Sequence, residues 1–184
     1  MNIAALALIG VAIGLNNFAV SLALGALGQE PRRWRIASVF FVFEFTIPLV
    51  GLAIGSVVAD ALAEAGRWTG AGLLVFLGLI ALKPSGRGGP DREHLARAVT
   101  SWKGLAGLSA GLSIDNLVIG FALGLDGAEP LLVATVIAVS STLFALLGLR
   151  LGRFGSEVAE RRAGILAGGL LIVLGLAVAL GLGV

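Results

Sequence analysis

The sequence predicts an all-α membrane protein of six transmembrane helices, arranged as two inverted three-helix repeats. Three observations lead there. Apolar residues make up 58% of the 184 residues and charged ones only 13%, where a soluble domain carries about a quarter charged. The apolar residues gather into blocks near the roughly 20 residues that a helix needs to cross a bilayer, and the mean hydropathy is +1.02. Finally, the first half of the chain reappears in the second.

The blocks are 3–27, 36–58, 68–83, 104–124, 131–149 and 163–183. The first has no basic residue ahead of it and outruns the apolar core of a signal peptide, so it reads as a span. The third is short at its polar end. Orientation follows from the basic residues. Arg32, Arg33 and Arg35 occupy the first connection. Lys83, Arg87, Arg92, Arg97 and Lys103 occupy the third, and Arg150, Arg153, Arg161 and Arg162 the fifth. With six spans these lie on one face, and only Arg67 lies opposite. Basic connections stay cytoplasmic, which places both termini outside a multi-pass inner-membrane protein. The basic charge therefore reflects topology and calls for no nucleic-acid partner. The partner it implies is the bilayer, and a homo-oligomer is compatible with it. Trp34, Trp68 and Trp102 flank span ends, as interfacial anchors do. Cysteine is absent, which removes disulfides and thiolate metal sites.

Shifted by 99, Asn16-Asn17 meets Asp115-Asn116, Ala23-Leu24-Gly25 meets Ala122-Leu123-Gly124, and Glu30-Pro31 meets Glu129-Pro130. Further on the offset becomes 97: Gly51 and Gly55 meet Gly148 and Gly152, and Gly72, Leu73, Leu74 and Gly78 meet Gly169, Leu170, Leu171 and Gly175. Three spans per half is odd, so the halves enter the membrane in opposite directions. That is a common plan of secondary transporters, which bind their substrate near the midplane between the halves. The expected units are residues 1–83, an exposed cytoplasmic linker at 84–103 rich in Pro, Gly and charge, and residues 104–184.

The chemistry lies in the polar residues inside the apolar blocks. Residues three or four apart share a helix face. One such stripe reads Gly10, Gly14, Asn17, Ser21, Gly25, and its counterpart Ser109, Ser113, Asn116, Gly120, Gly124. Small residues let membrane helices approach closely. Asn16 and Asp115 sit beside these stripes near the middle of their spans. An aspartate at a span centre costs about 2.5–3.5 kcal/mol on insertion scales. An interhelical polar bond returns about 0.6 kcal/mol on average, so packing alone does not explain Asp115. Glu44 is the other embedded acid. Pro48 follows it by one turn and displaces the hydrogen bond to the carbonyl of residue 44.

The ligand set is therefore Asp115, Glu44, Asn16, Asn17 and Asn116, with Thr46 and Ser113 in support. Ser140, Ser141 and Thr142 read as hydroxyls bonded back to their own helix. His94 falls in the linker and reads as solvated. With no base embedded beside the two acids, a cation or protons must neutralise them. Oxygen ligands without embedded Cys, His or Met suit Mg, Ca or Mn, as transported ions and not as cofactors. A secondary transporter of a divalent cation follows, with another cation or a small organic solute as the alternative cargo. An enzyme does not follow, because no nucleophile–base pair can be assembled.

NNFAVS at 16–21, FEFTIPLVG at 43–51, SIDNLVIG at 113–120, LGRFGS at 151–156 and GILAGGLLIVLG at 164–175 carry a resemblance over essentially the full chain. It resembles the manganese efflux pump (MntP) family of bacterial inner membranes, within the lysine-exporter superfamily. The resemblance implies six spans in two inverted repeats, outward termini and Mn2+ export. It also implies a metal path through acidic residues of the first, second and fourth spans, here Asn16, Glu44 and Asp115. Asn16 departs from that pattern, which has aspartate there. Asn116 likewise replaces a small residue. One carboxylate is thus lost and two amides are gained.

Overall fold

The computed structural model describes residues 3–62, 64–82, 92–154 and 157–180, and among them every regular element is a helix. The long helices are α1 (Ile3–Ala26), α2 (Arg33–Leu62), α3 (Glu64–Leu82), α7 (Pro130–Gly152) and α8 (Glu157–Ala179). Between α3 and α7 lie the shorter α4 (Arg92–Ala98), α5 (Trp102–Leu112) and α6 (Ile114–Leu125). By length and composition four helices can cross a membrane: α1, α2, α3 and α7. The pair α5–α6, bent by 42°, makes a fifth if it is one span. The apolar part of α8, Ile165–Ala179, is shorter.

Two expectations are corrected. The block at 104–124 is not one helix: it breaks at Ser113, which ends α5 and precedes α6. Nor is the linker wholly exposed. Residues 83–91 lie outside the described residues, but α4 follows them, and Leu95 and the adjacent Val99 are buried. They pack with Leu24 of α1, Ile36 and Phe40 of α2, Leu105 of α5 and Leu149 of α7 in an apolar cluster. Four residues apart on one face, these two side chains fill the end of the bundle that carries the basic connections.

Local sequence sets the helix ends. Ser101 caps α5, its hydroxyl accepting from the Gly104 N–H at 2.9 Å. Pro130 opens α7, where its missing N–H costs nothing. After α1 the chain turns at Gly28 (φ 74°), and after α6 at Gly127 (φ 78°). In each turn the glycine N–H reaches back three residues and the next N–H five, 28 to 25 with 29 to 24, and 127 to 124 with 128 to 123. These are Schellman endings, which require the left-handed conformation that glycine adopts without a Cβ penalty.

Glycine also sets the crossings. A Cβ on Gly25 would meet Leu149 O at 2.4 Å, and one on Gly152 would meet Leu22 O at 2.1 Å. A Cβ on Gly124 would meet Leu52 O at 2.4 Å, and one on Gly55 would meet Phe121 O at 2.3 Å. Each helix thus approaches its partner closely enough to touch backbone, as small residues permit. Contact positions rise together along α1 and α7, and along α2 and α6, so both pairs run parallel. In α3 and α8, Gly78 faces Gly168 while Gly175 faces Ala71, so that pair runs antiparallel.

A second apolar cluster fills the opposite end of the bundle, with Ile9, Ile13, Leu52, Leu74, Ile119 and Val178 among its members. The buried polar residues lie between the two clusters. Replacing Gly152 or Gly55 by alanine should destabilise the protein by about 1–3 kcal/mol, because the methyl group meets backbone that cannot step aside. Gly72→Ala, with nothing within 4 Å of the added Cβ, should be neutral or stabilising by up to about 1 kcal/mol. Thermal unfolding in detergent compares them.

Candidate cation site

The α5–α6 break creates the site. At Ser113 the helix ends and restarts, so the first turn of α6 presents backbone N–H groups without intrahelical partners. Asp115 lies in that turn. Its Oδ1 accepts from the Asn116 N–H at 2.9 Å, and its Oδ2 accepts from the Asn16 side-chain amide of α1 at 3.1 Å. Both Asn16 and Asp115 are half-buried.

Glu44 is held differently. It is 2% exposed. Its Oε1 accepts from Ser113 Oγ at 2.9 Å, and its Oε2 from Asn116 Nδ2 at 2.8 Å and from Ser141 Oγ at 2.9 Å. A buried carboxylate without partners is costly, and each hydrogen bond to a charged group contributes about 1.5–3 kcal/mol. Three donors from the break, from α6 and from α7 account for its place in the interior. Asn116 joins the two carboxylates, its backbone N–H on Asp115 and its side chain on Glu44. Its Oδ1 has no hydrogen-bond partner, nor does Ser21 Oγ, although both are buried.

A cavity of about 200 Å³ adjoins the first arrangement. Asn16, Asp115 and Asn116 give it a polar wall, and Ile13, Leu77, Ile80, Ala81, Ile119, Ala167 and Leu171 are among its apolar walls. At about 30 Å³ per water it has room for roughly six waters, or for a cation keeping part of its shell. Among the described residues, Asp115 is the one charged group in the lining. Glu44 does not line it.

The expected ligand set is thus brought together but divided. Asp115, Asn16 and Asn116 face the cavity, Glu44 and Ser113 are sealed beside it, and Asn17 is buried with its amide beside Glu44. Among the described residues no three acidic, His or Cys side chains cluster as a metal site. A cation here would draw on one accessible carboxylate, amide oxygens and water. Thr46 is corrected: it is exposed on the outside of α2. Two residues from Glu44 on a helix is about 200° away, the opposite face. Ser141 is corrected as well, since its hydroxyl crosses to Glu44 and does not bond back within α7. The offset of 97 would have singled it out from Ser140 and Thr142, because 141 is the position equated with 44. Ser140 instead lies against Gly10. His94 is exposed on α4, away from the cavity.

Apolar helices around a central polar layer with one accessible acid define a polytopic membrane protein of the ion-transport class. The chain belongs to the manganese efflux pump family: the family model described as "Putative manganese efflux pump" matches residues 29–179. Curated relatives named "Putative manganese efflux pump MntP" are similar across most of both chains. That of Dehalococcoides mccartyi (strain CBDB1) is 30% identical over 176 residues, covering 93% of this chain and 91% of the relative. That of Methanocorpusculum labreanum is 32% identical over 171 residues, covering 91% and 90%. That of Halalkalibacterium halodurans is 31% identical over 150 residues, covering 80% of each. No solved structure matches the chain.

Two substitutions separate the roles of the Glu44 contacts. Ser141→Ala removes one of three donors and should cost about 1.5–3 kcal/mol of stability. Glu44→Ala strands Ser113, Asn116 and Ser141 at once and should cost more, at about 1–3 kcal/mol per buried group left unpaired. Unfolding of the purified variants measures both; equal losses would contradict the clustered bonding.

Proposed function

We propose that this protein is a secondary transporter that exports a divalent cation, Mn2+ first, from the cytoplasm across the inner membrane. The observation that carries this reading is Asp115. It is a carboxylate in mid-bundle, paired with an amide and no base, on the wall of a cavity that can hold a hydrated ion. The names of the relatives point to the same cargo.

In this reading α5–α6 and α8 both span, giving six helices in two inverted repeats, 1–83 and 104–184, joined by 84–103. The glycine crossings support it. Gly25 with Gly152 and Gly124 with Gly55 are the same contact under offsets of 99 and 97, and helices equated by the offset run in opposite directions. In this reading the basic α3–α4 and α7–α8 connections lie in the cytoplasm and both termini outside, as the positive-inside rule favours. The cavity spans the level of Asp115, with Ala12, Ile13 and Ile119 outward of it, and Ile80 and Ala81 at the end of α3 form its cytoplasmic end.

The ion enters there, exchanges water for Asp115 and the side-chain oxygens of Asn16 and Asn116, and gains access to Glu44 only if Ser113, Ser141 or Asn116 lets go. Protons returning to the carboxylates on the outer side complete an exchange. Collapse of the pH gradient should therefore slow export by reconstituted protein, and an unchanged rate would remove the proton from the scheme. One carboxylate fewer than the resemblance implies also weakens the site, since an amide ligates a hard cation without adding charge.

The cargo is tested by calorimetry with Mn2+, Mg2+, Ca2+, Co2+ and Zn2+ on the native protein, Asp115→Ala and Asn16→Asp. Mn2+ binding should be lost in Asp115→Ala and tightened in Asn16→Asp. A native protein blind to every divalent ion, with binding gained in Asn16→Asp, would favour the second reading, another cation or a small organic solute on the same scaffold. The otherwise apolar cavity wall is what keeps that reading in play.

A further inference from the structure

The two halves of the sequence correspond, but their structures differ in one respect. α5–α6 is broken at Ser113 and bent by 42°. The equated position in α1, Gly14, lies inside an unbroken helix with the Phe144 ring against it. The cavity shows the same one-sidedness. Its walls include Leu77, Ala81, Ala167 and Leu171. The offset of 97 equates these with Leu174, Val178, Gly70 and Leu74. Leu74, Leu174 and Val178 are 0%, 1% and 1% exposed, and a Cβ on Gly70 would come 2.7 Å from Ala122 O. The polar floor, by contrast, maps onto itself: Asn16 and Asp115 exchange places, and Asn116 becomes Asn17.

The geometry points to an exit vestibule for the cation, closed in this structure, walled by Leu74, Leu174, Val178 and Gly70 and floored by Asn16, Asp115 and Asn17. The inference rests on the export reading and on the inverted-repeat plan. The inverted-repeat plan makes the exchanged arrangement, with α1 bent near Gly14 and α5–α6 straightened, the second state of the bundle. Asn17, buried here with its amide beside Glu44, takes in the exchanged state the place that Asn116 now has at the cavity floor. Two of the four central hydrogen bonds, Asn16 to Asp115 and Ser141 to Glu44, join equated residues. Such contacts lie where the halves meet and need not be moved far when the halves exchange conformations.

The absence of cysteine makes the test direct. Ala81→Cys marks the open cavity, and Val178→Cys and Leu74→Cys mark the closed vestibule from two helices. A membrane-impermeant methanethiosulfonate is applied to either face of oriented membrane vesicles, with and without Mn2+ on the cytoplasmic face. Without Mn2+, Ala81→Cys should react from the cytoplasmic face and the other two from neither. With Mn2+, Val178→Cys and Leu74→Cys should become reactive from the outer face while Ala81→Cys slows. If Mn2+ slows Ala81→Cys and both vestibule cysteines stay silent, the exit vestibule is overturned and the export site stands. An Ala81→Cys variant indifferent to Mn2+ would overturn the export reading and the vestibule with it.

Discussion

The bundle is organised around one buried carboxylate. Glu44 is placed in apolar surroundings where a charge is tolerated only when its oxygens are bonded, and three donors supply those bonds: Ser113, Asn116 and Ser141. Because they come from the break, from α6 and from α7, holding Glu44 fixes three elements against α2. Apolar packing alone does not choose a register between membrane helices, since the lipid is as apolar as the side chains. The glycine faces allow close crossing, and the Glu44 bonds choose where along the helices it happens. The break at Ser113 follows from the same requirement, because it turns a hydroxyl and a new helix start toward the carboxylate.

The same interaction leaves Asp115 as the acid that a solute can reach. Charge is distributed unequally over positions that the sequence offsets equate: glutamate faces serine, and asparagine faces aspartate. Each half contributes one acid, and each acid meets a neutral donor where a strictly duplicated chain would place a second acid. Two like charges in contact would repel strongly in a medium of low dielectric constant. Pairing each acid with a neutral partner avoids that cost. In the proposed transport cycle it also leaves the charge of the cation to be matched one carboxylate at a time.

Much of this was legible in the sequence, for identifiable reasons. The apolar blocks marked the long helices because hydropathy over about 20 residues is set by composition and not by neighbours. Asp115, Asn16 and Glu44 stood out because embedded polar groups are expensive. Three features were missed because they depend on which side of a helix faces the interior. Thr46 looked like a neighbour of Glu44 but points away from it. Ser141 was hidden among three consecutive hydroxyls until its offset to Glu44 is used. Leu95 and Val99 lie in a charged segment whose composition outweighed a one-face pair. The break at Ser113 had a weak signal, a serine followed closely by Asp115 and Asn116 in the manner of a helix start, inside a stretch whose hydropathy reads as continuous.

The central claim is that the cation meets Asp115 in the cavity and not Glu44 in the core. Crystals grown with Mn2+ and measured at the manganese absorption edge test it most directly. The account predicts an anomalous peak between the Asp115 carboxylate and the side-chain oxygen of Asn16, with Glu44 still held by Ser113 and Ser141. A peak seated against Glu44, with those two hydroxyls displaced and the cavity empty, would contradict it.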